Sequence, residues 1–218
     1  MANTALIFGA SGLVGNALLK LLLESPEYDK VKAFVRKTLP IQHQKLEQIV
    51  IDFDNLDNYS SQIIGDDIYL CLGTTMAKAG SKDAFYKIDY TYTMDAAKLA
   101  AKNGVKKLCL ISSLGANPNA SVFYSKVKGE VENDISNLGI ETVHIVRPSL
   151  LLGDRDEKRV GERIGIKLSE WLSFIFVGPL KKYKAIHVGT VAKSMFQFMQ
   201  TQQTGLYIHE SIDLQKFK

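Results

Sequence analysis

Glycines at positions 9, 12 and 15 stand between a short apolar run, Ala5-Leu6-Ile7-Phe8, and a stretch from Leu13 to Leu23 whose apolar residues recur on a helical period. No other feature of the chain restricts its fold so tightly. In a strand, turn and helix of this kind, Gly9 permits the tight exit from the strand. Gly12 has no side chain to block an approaching pyrophosphate, and Gly15 lets the helix pack closely on the sheet. The free amides that open the helix then face the phosphates.

The rest of the chain repeats the alternation. Val31 to Val35, Gln48 to Ile51, Ile68 to Leu72, Lys107 to Ile111 and Thr142 to Val146 read as buried strands. Helical patterns run weakly from Leu56 to Ile64, strongly from Asp83 to Lys102 with a break near Asp89, and from about Tyr124 to Leu138, where Gly139 stops the helix. Strands and helices alternating at this spacing imply an α/β chain with a doubly wound parallel sheet, the Rossmann fold. After Arg147-Pro148 the alternation is lost until a late helix, Val188 to Met199, introduced by Thr190 as a cap, and a short final strand, Leu206-Tyr207-Ile208. The expected organisation is one dinucleotide-binding domain over residues 1–218, with smaller elaborations at 149–186 on the substrate side and at 201–218.

Composition narrows the partners. A formal charge of +4 is spread along 218 residues, which argues against nucleic acid as the main partner. Apolar runs are short and broken by charge, which argues against a membrane. The N-terminus enters a strand within a few residues, and the expectation is a cytoplasmic protein without a secretion signal. Cys71 and Cys109 fall in core strands, where a thiol serves as a small apolar side chain, and no metal site is expected. Monomer and homodimer both stay open.

Cofactor choice is read at the end of the second strand. An NAD site places an acid there for the adenosine ribose; here Arg36-Lys37 stand in its place, two cations suited to a 2′-phosphate, so NADP(H) is expected. Asp52-Phe53 after the third strand put an acid and an apolar residue where the adenine would lie. Leu72 and Gly73 leave the fourth strand beside the cofactor path, and Gly73 allows close backbone approach.

Tyr124 and Lys128 are four apart at the start of a helix and so share one face. A phenol has an unperturbed pKa near ~10, and a nearby ammonium favours its ionised form, which suits it to exchange a proton with a carbonyl or alcohol oxygen. Ser113 ends the preceding strand and can hydrogen-bond that oxygen; it is preferred over Ser112. Tyr28 and Lys32 repeat the spacing, but they lie at the entrance to the second strand, on the wrong edge of the sheet.

Gly9-Ala10-Ser11-Gly12-Leu13-Val14-Gly15, Ser112-Ser113 and Tyr124-Ser125-Lys126-Val127-Lys128 together resemble the atypical, extended-type short-chain dehydrogenases/reductases. Cys71-Leu72-Gly73-Thr74-Thr75, Lys128-Gly129-Glu130-Val131-Glu132 and Arg147-Pro148-Ser149-Leu150-Leu151 resemble their Tat-interacting-protein-like branch, and the likeness covers nearly the whole chain. The resemblance implies that Ser11 to Val14, Arg36, Lys37, Leu72, Gly73, Tyr124, Lys128, Leu151 and Arg159 line an NADP site. Lys37 stands where a second arginine is expected, keeping the charge but losing the planar fork. The asparagine-rich motif of other short-chain enzymes is missing after the fourth strand.

The function these readings imply is NADP-dependent hydride transfer to or from a small carbonyl or alcohol substrate. An NADPH-binding regulator or scaffold with little turnover is the alternative. A sugar-nucleotide epimerase is a third, disfavoured by the short chain after Pro148. His144 is expected in the core and His187 to fix a loop. Trp171, Phe174 and Phe176 are expected in a small C-terminal core or an oligomer contact.

Overall fold

In the computed structural model, residues 3–153 and 184–218 are described. Within them, β1 (Thr4–Phe8), β2 (Lys30–Val35), β3 (Leu46–Val50), β4 (Asp67–Leu70), β5 (Lys107–Ile111), β6 (Thr142–Arg147) and β9 (Gly205–Glu210) form one sheet in the order β3-β2-β1-β4-β5-β6-β9. Every neighbouring pair in it is parallel. The short strands β7 (Leu151–Leu152) and β8 (Ile186–His187) pair separately.

The apolar runs are continuous because both faces of the sheet are covered. Along β1, Ala5 and Ile7 point into a core shared with Leu18, Leu19 and Leu22 of α1 (Leu13–Glu24) and Val191 and Met195 of α6 (Val188–Met199). Leu6 and Phe8 point the other way, against Met94, Ala97 and Ala100 of α4 (Tyr92–Lys102) and Val131 and Ile135 of α5 (Phe123–Ser136). Phe8 stacks on Phe34 of β2 with ring centroids 4.4 Å apart. Burial pushes the Cys71 thiol up to about 12, which keeps it protonated and apolar in character.

Several boundaries differ from the sequence reading. The weak helix expected at Leu56 to Ile64 is a 3-10 segment, Phe53–Gln62, capped by the Asp52 carboxylate, with Asn55 outside helical geometry. The fourth strand ends at Leu70 rather than Leu72. The long helix over 83–102 is divided. After α2 (Met76–Ala79) and α3 (Lys82–Tyr86) the chain makes a π turn, Lys87–Thr91, before α4 begins, which gives the expected break at Asp89 a definite form. Thr190 does not cap α6. His187 does, its Nδ1 accepting from the Gly189 amide at 3.2 Å. The last elements are α7 (Ser211–Leu214) and a 3-10 turn, Gln215–Phe217.

Candidate functional site

The strand order reverses between β1 and β4, and at such a switch point the carboxyl ends of parallel strands leave a crevice. Gly9 leaves β1 with φ +85°, and a Cβ there would stand 2.4 Å from the Cys71 carbonyl oxygen, so no other residue fits. A Cβ on Gly15 would lie 2.2 Å from the Gly9 oxygen. Turn and helix are therefore in backbone contact. Gly12 occupies the N-cap position of α1 and is exposed, as is Ser11. No side chain caps this helix and no acid sits in its first turn, which leaves the amides of Leu13, Val14 and Gly15 available to an anion. The cradle fits a pyrophosphate.

Arg36 and Lys37 follow β2, and both are exposed. Arg36 lines a cavity of about 320 Å³ floored by Ile51, Phe53 and Ile88; Lys37 is not part of its lining. Asp52 and Phe53 line the same cavity, and each is already engaged. The Asp52 carboxylate accepts from the Asp54 amide (3.0 Å) and the Asn55 side chain (2.7 Å), and the Phe53 ring packs on Tyr92 with centroids 5.0 Å apart.

Leu72 and Gly73 continue from β4 toward the second half of the site. A Cβ on Gly73 would lie 3.5 Å from Asp89 Oδ1 and 3.6 Å from Lys128 Nζ, so the absent side chain leaves room directly over that pair. Lys128 is buried on α5 with its ammonium 2.7 Å from Asp89, whose side chain is fully buried, and the other Asp89 oxygen accepts the Thr74 amide at 2.8 Å. Burial works against the Lys128 charge. The Asp89 carboxylate, with Tyr124 and Glu132 behind it, more than offsets this and holds the ammonium's pKa above its ordinary value. Tyr124, one helical turn before Lys128, is partly exposed and its ring lies 5.5 Å from that of Phe85.

The two serines after β5 have opposite surroundings. Ser112 donates its hydroxyl to Glu132, and Glu132 is held by Arg147 through Nε (3.0 and 3.2 Å) and Nη2 (2.5 Å), while Nη1 of Arg147 reaches Glu210 at 3.0 Å. Ser113 Oγ is buried and has no hydrogen-bond partner. A buried hydroxyl left without a partner costs on the order of 1–3 kcal/mol. Leu151 lies in β7, partly buried and packed against the α1 core; Arg159, Trp171, Phe174 and Phe176 lie outside the described residues.

Sequence reasoning missed Asp89, Glu132 and Arg147 as site residues. The loss of helical pattern around Asp89 was the available signal for the first. The other two required knowing that Glu132 of α5 and Arg147 at the end of β6 come together beside Ser112. The Tyr28/Lys32 copy is far from this edge. Tyr28 is buried and donates to Asp67 at the start of β4, while Lys32 Nζ donates to the carbonyls of Gln62 (3.1 Å) and Ile64 (3.0 Å). Among the described residues no group of acids, histidines and cysteines could hold a metal ion.

Fold and crevice together define a dinucleotide-binding protein of the Rossmann class. Residues 9–168 match the family described as NAD(P)H-binding. Protein HTATIP2 of Rattus norvegicus is 36% identical over 211 residues, covering 93% of this chain and 84% of that protein. "Protein FMP52, mitochondrial" of Candida albicans is 37% identical over 193 residues, covering 85% of this chain and 84% of the relative. The chain belongs to this NAD(P)H-binding family and, within it, to the Tat-interacting-protein-like branch of the atypical short-chain dehydrogenases/reductases.

Solved structures with the same fold include the Bordetella bronchiseptica enzyme WbmH in complex with NAD+, with a TM-score of 0.73, 16% identity and coverage of 97% of this chain and 76% of that one. MoeE5 in complex with UDP-glucose and NAD has a TM-score of 0.70 at 16% identity, covering 94% and 74%. At that identity the likeness is one of fold alone. The expectation of a cytoplasmic protein is corrected by the relatives, since those from Candida albicans, Aspergillus clavatus and Saccharomyces cerevisiae are named as mitochondrial. Among the described residues no helix is long and apolar enough to cross a membrane.

Proposed function

We propose that the protein is an NADP(H)-dependent oxidoreductase that transfers hydride between the nicotinamide and a small carbonyl or alcohol substrate. The observation that carries this reading is the pairing of an unpartnered buried hydroxyl, Ser113 Oγ, with a buried ammonium, Lys128, on one edge of the sheet beside Tyr124. A nucleotide-binding turn alone would need neither. Gly9, Ser11, Gly12, Leu13, Val14 and Gly15 would take the pyrophosphate, Arg36 the 2′-phosphate, and Leu72, Gly73 and Leu151 the path between adenosine and nicotinamide.

NADPH, when bound, supplies the hydride. The chain's own residues supply the rest. Ser113 Oγ hydrogen-bonds the substrate oxygen and fixes its position. Tyr124, whose phenol carries the proton, gives it to that oxygen as the carbonyl carbon is reduced, and takes it back in the reverse direction. Lys128, kept charged by Asp89, stabilises the phenolate that remains and holds the ribose hydroxyls. Asp89 acts through Lys128 and is a positioning residue.

The test is the Tyr124→Phe variant, measured for NADPH oxidation against a panel of small aldehydes and ketones and for NADPH affinity by calorimetry. Loss of a positioned acid lowers turnover by about 10²–10⁴-fold. Affinity for NADPH is expected to stay within a few-fold. Turnover that survives the change would remove Tyr124 from the role of acid.

A further inference from the structure

The Arg36 cavity contains a second cation that the sequence does not suggest. Lys87 lies in the π turn and lines the same cavity, with its ammonium 2.6 Å from the Asp54 carboxylate and 5.6 Å from the centroid of the Tyr92 ring. Asp54 also accepts the Tyr92 hydroxyl at 2.6 Å. Arg36, by contrast, makes no ion pair or hydrogen bond among the described residues. The cavity thus offers one uncommitted guanidinium and one ammonium held by a carboxylate.

We infer that Lys87 is a further cation that selects the 2′-phosphate of NADP(H) together with Arg36, with Asp54 as its resting partner. This rests on the NADP reading above and assigns the residues that produce it. The Lys87 and Asp54 side chains are each 51% exposed, and an ion pair so exposed contributes little, about 0–1 kcal/mol. A phosphate ester carries close to two negative charges and three acceptor oxygens, so it competes well for an ammonium held by a single carboxylate. Hydrogen bonding to Asp54 holds the Lys87 pKa above its ordinary value, so the side chain is a full cation at neutral pH.

Asp54 affects the two cofactors unequally. With NADP(H) its charge faces a phosphate and opposes binding. With NAD(H), a ribose hydroxyl is neutral and the carboxylate does no harm. Ile51, Phe53 and Ile88 line the same cavity as the two cations and give it the apolar surface that a base bearing the phosphorylated ribose requires. The turn that carries Lys87 also carries Asp89, two residues on. One local geometry therefore serves both the adenosine end and the Lys128 end of the site.

The experiment is calorimetric titration with NADPH, NADH and adenosine 2′,5′-bisphosphate, a probe that carries the phosphate but no nicotinamide. It compares the wild type with Arg36→Ala, Lys87→Ala, Asp54→Asn and the Lys87→Ala/Asp54→Asn double variant. Lys87→Ala is expected to weaken NADPH and the bisphosphate by about 5–20-fold, the scale of one charge-assisted contact, and NADH by less than twofold. Asp54→Asn should tighten NADPH two- to fivefold, and that gain should shrink in the double variant to the part due to relieved repulsion alone. Should Lys87→Ala bind NADPH like the wild type while Arg36→Ala selectively loses it, the Lys87 assignment falls and the NADP reading stands. Should the wild type bind NADH as tightly as NADPH, and Arg36→Ala weaken neither selectively, both fall.

Discussion

Ser112 and Ser113 are adjacent in sequence, chemically identical and opposite in circumstance. Ser112 is a partner in a polar network with Glu132, Arg147 and Glu210, while Ser113 has none. Replacing each by alanine should therefore separate stability from chemistry. Ser112→Ala leaves a buried carboxylate short of a donor and is expected to lower unfolding stability by about 1–3 kcal/mol, with turnover changed only a few-fold. Ser113→Ala removes an unsatisfied group. It should leave stability unchanged or slightly raised while lowering turnover by about 10²-fold, the scale of losing one donor aimed at a reacting oxygen. Urea unfolding and steady-state rates on the two variants check both halves, and the opposite pattern would exchange their roles. The sequence reading favoured Ser113 over Ser112 but held no account of Glu132, which makes the two unequal.

At the scale of an element, α5 must sit where it does for Tyr124 and Lys128 to share the crevice. Gly129 secures that position, because a Cβ there would lie 2.2 Å from backbone atoms of Asn117 and Pro118. The loop after β5 and the helix it feeds are in backbone contact, tied further by the Asn117 amide donating to the Ser125 carbonyl at 3.0 Å. Gly129→Ala is expected to cost about 3 kcal/mol or more, since backbone rather than a flexible side chain must give way. Gly104→Ala is the control. Gly104 has φ +81° and open space around it, so the change costs about 1 kcal/mol of backbone strain alone. Equal midpoints for the two in a denaturant titration would remove the packing argument. Sequence spacing was enough to propose the helix and the shared face of Tyr124 and Lys128. Asp89 was beyond it, because a π turn sets that residue's direction and hydrophobic period reports only where a helix is interrupted.

At the scale of the whole molecule, β9 closes the sheet against β6 through an aromatic and histidine cluster. His144 on β6 is buried, its Nδ1 is 2.9 Å from His209 Nε2 on β9, and Phe198 of α6 stacks on His209 with centroids 3.6 Å apart. Burial, with His209 and Lys107 adding to it, lowers the His144 pKa to about 4, and burial lowers that of His209 as well. In the unfolded chain a histidine titrates near ~6.5. Above that pH His144 is neutral in both states and its contribution is fully present. As pH falls from about 6.5 toward about 4, the unfolded chain takes up a proton that the folded chain refuses, and stability is lost across that window, by about 2 kcal/mol at pH 5 for this group. His144→Phe should flatten the decline of the urea midpoint between pH 7.5 and 5. A slope equal to that of the wild type would mean that other groups govern the acid limb.

Sequence alone determined the fold class, the phosphate turn and the helical face bearing Tyr124 and Lys128. Each of these is local: a strand, a turn or one helical repeat is written in neighbouring residues whose steric and apolar demands can be read in place. Tertiary structure decided the rest. Arg36 is joined by Lys87 rather than by its neighbour Lys37 in lining one cavity, Lys128 is held charged by the buried Asp89, and Glu132 takes the Ser112 hydroxyl while that of Ser113 has no partner. These pairings cross between elements far apart along the chain. Burial and charge act through space, and only the packed sheet brings those residues within range of one another.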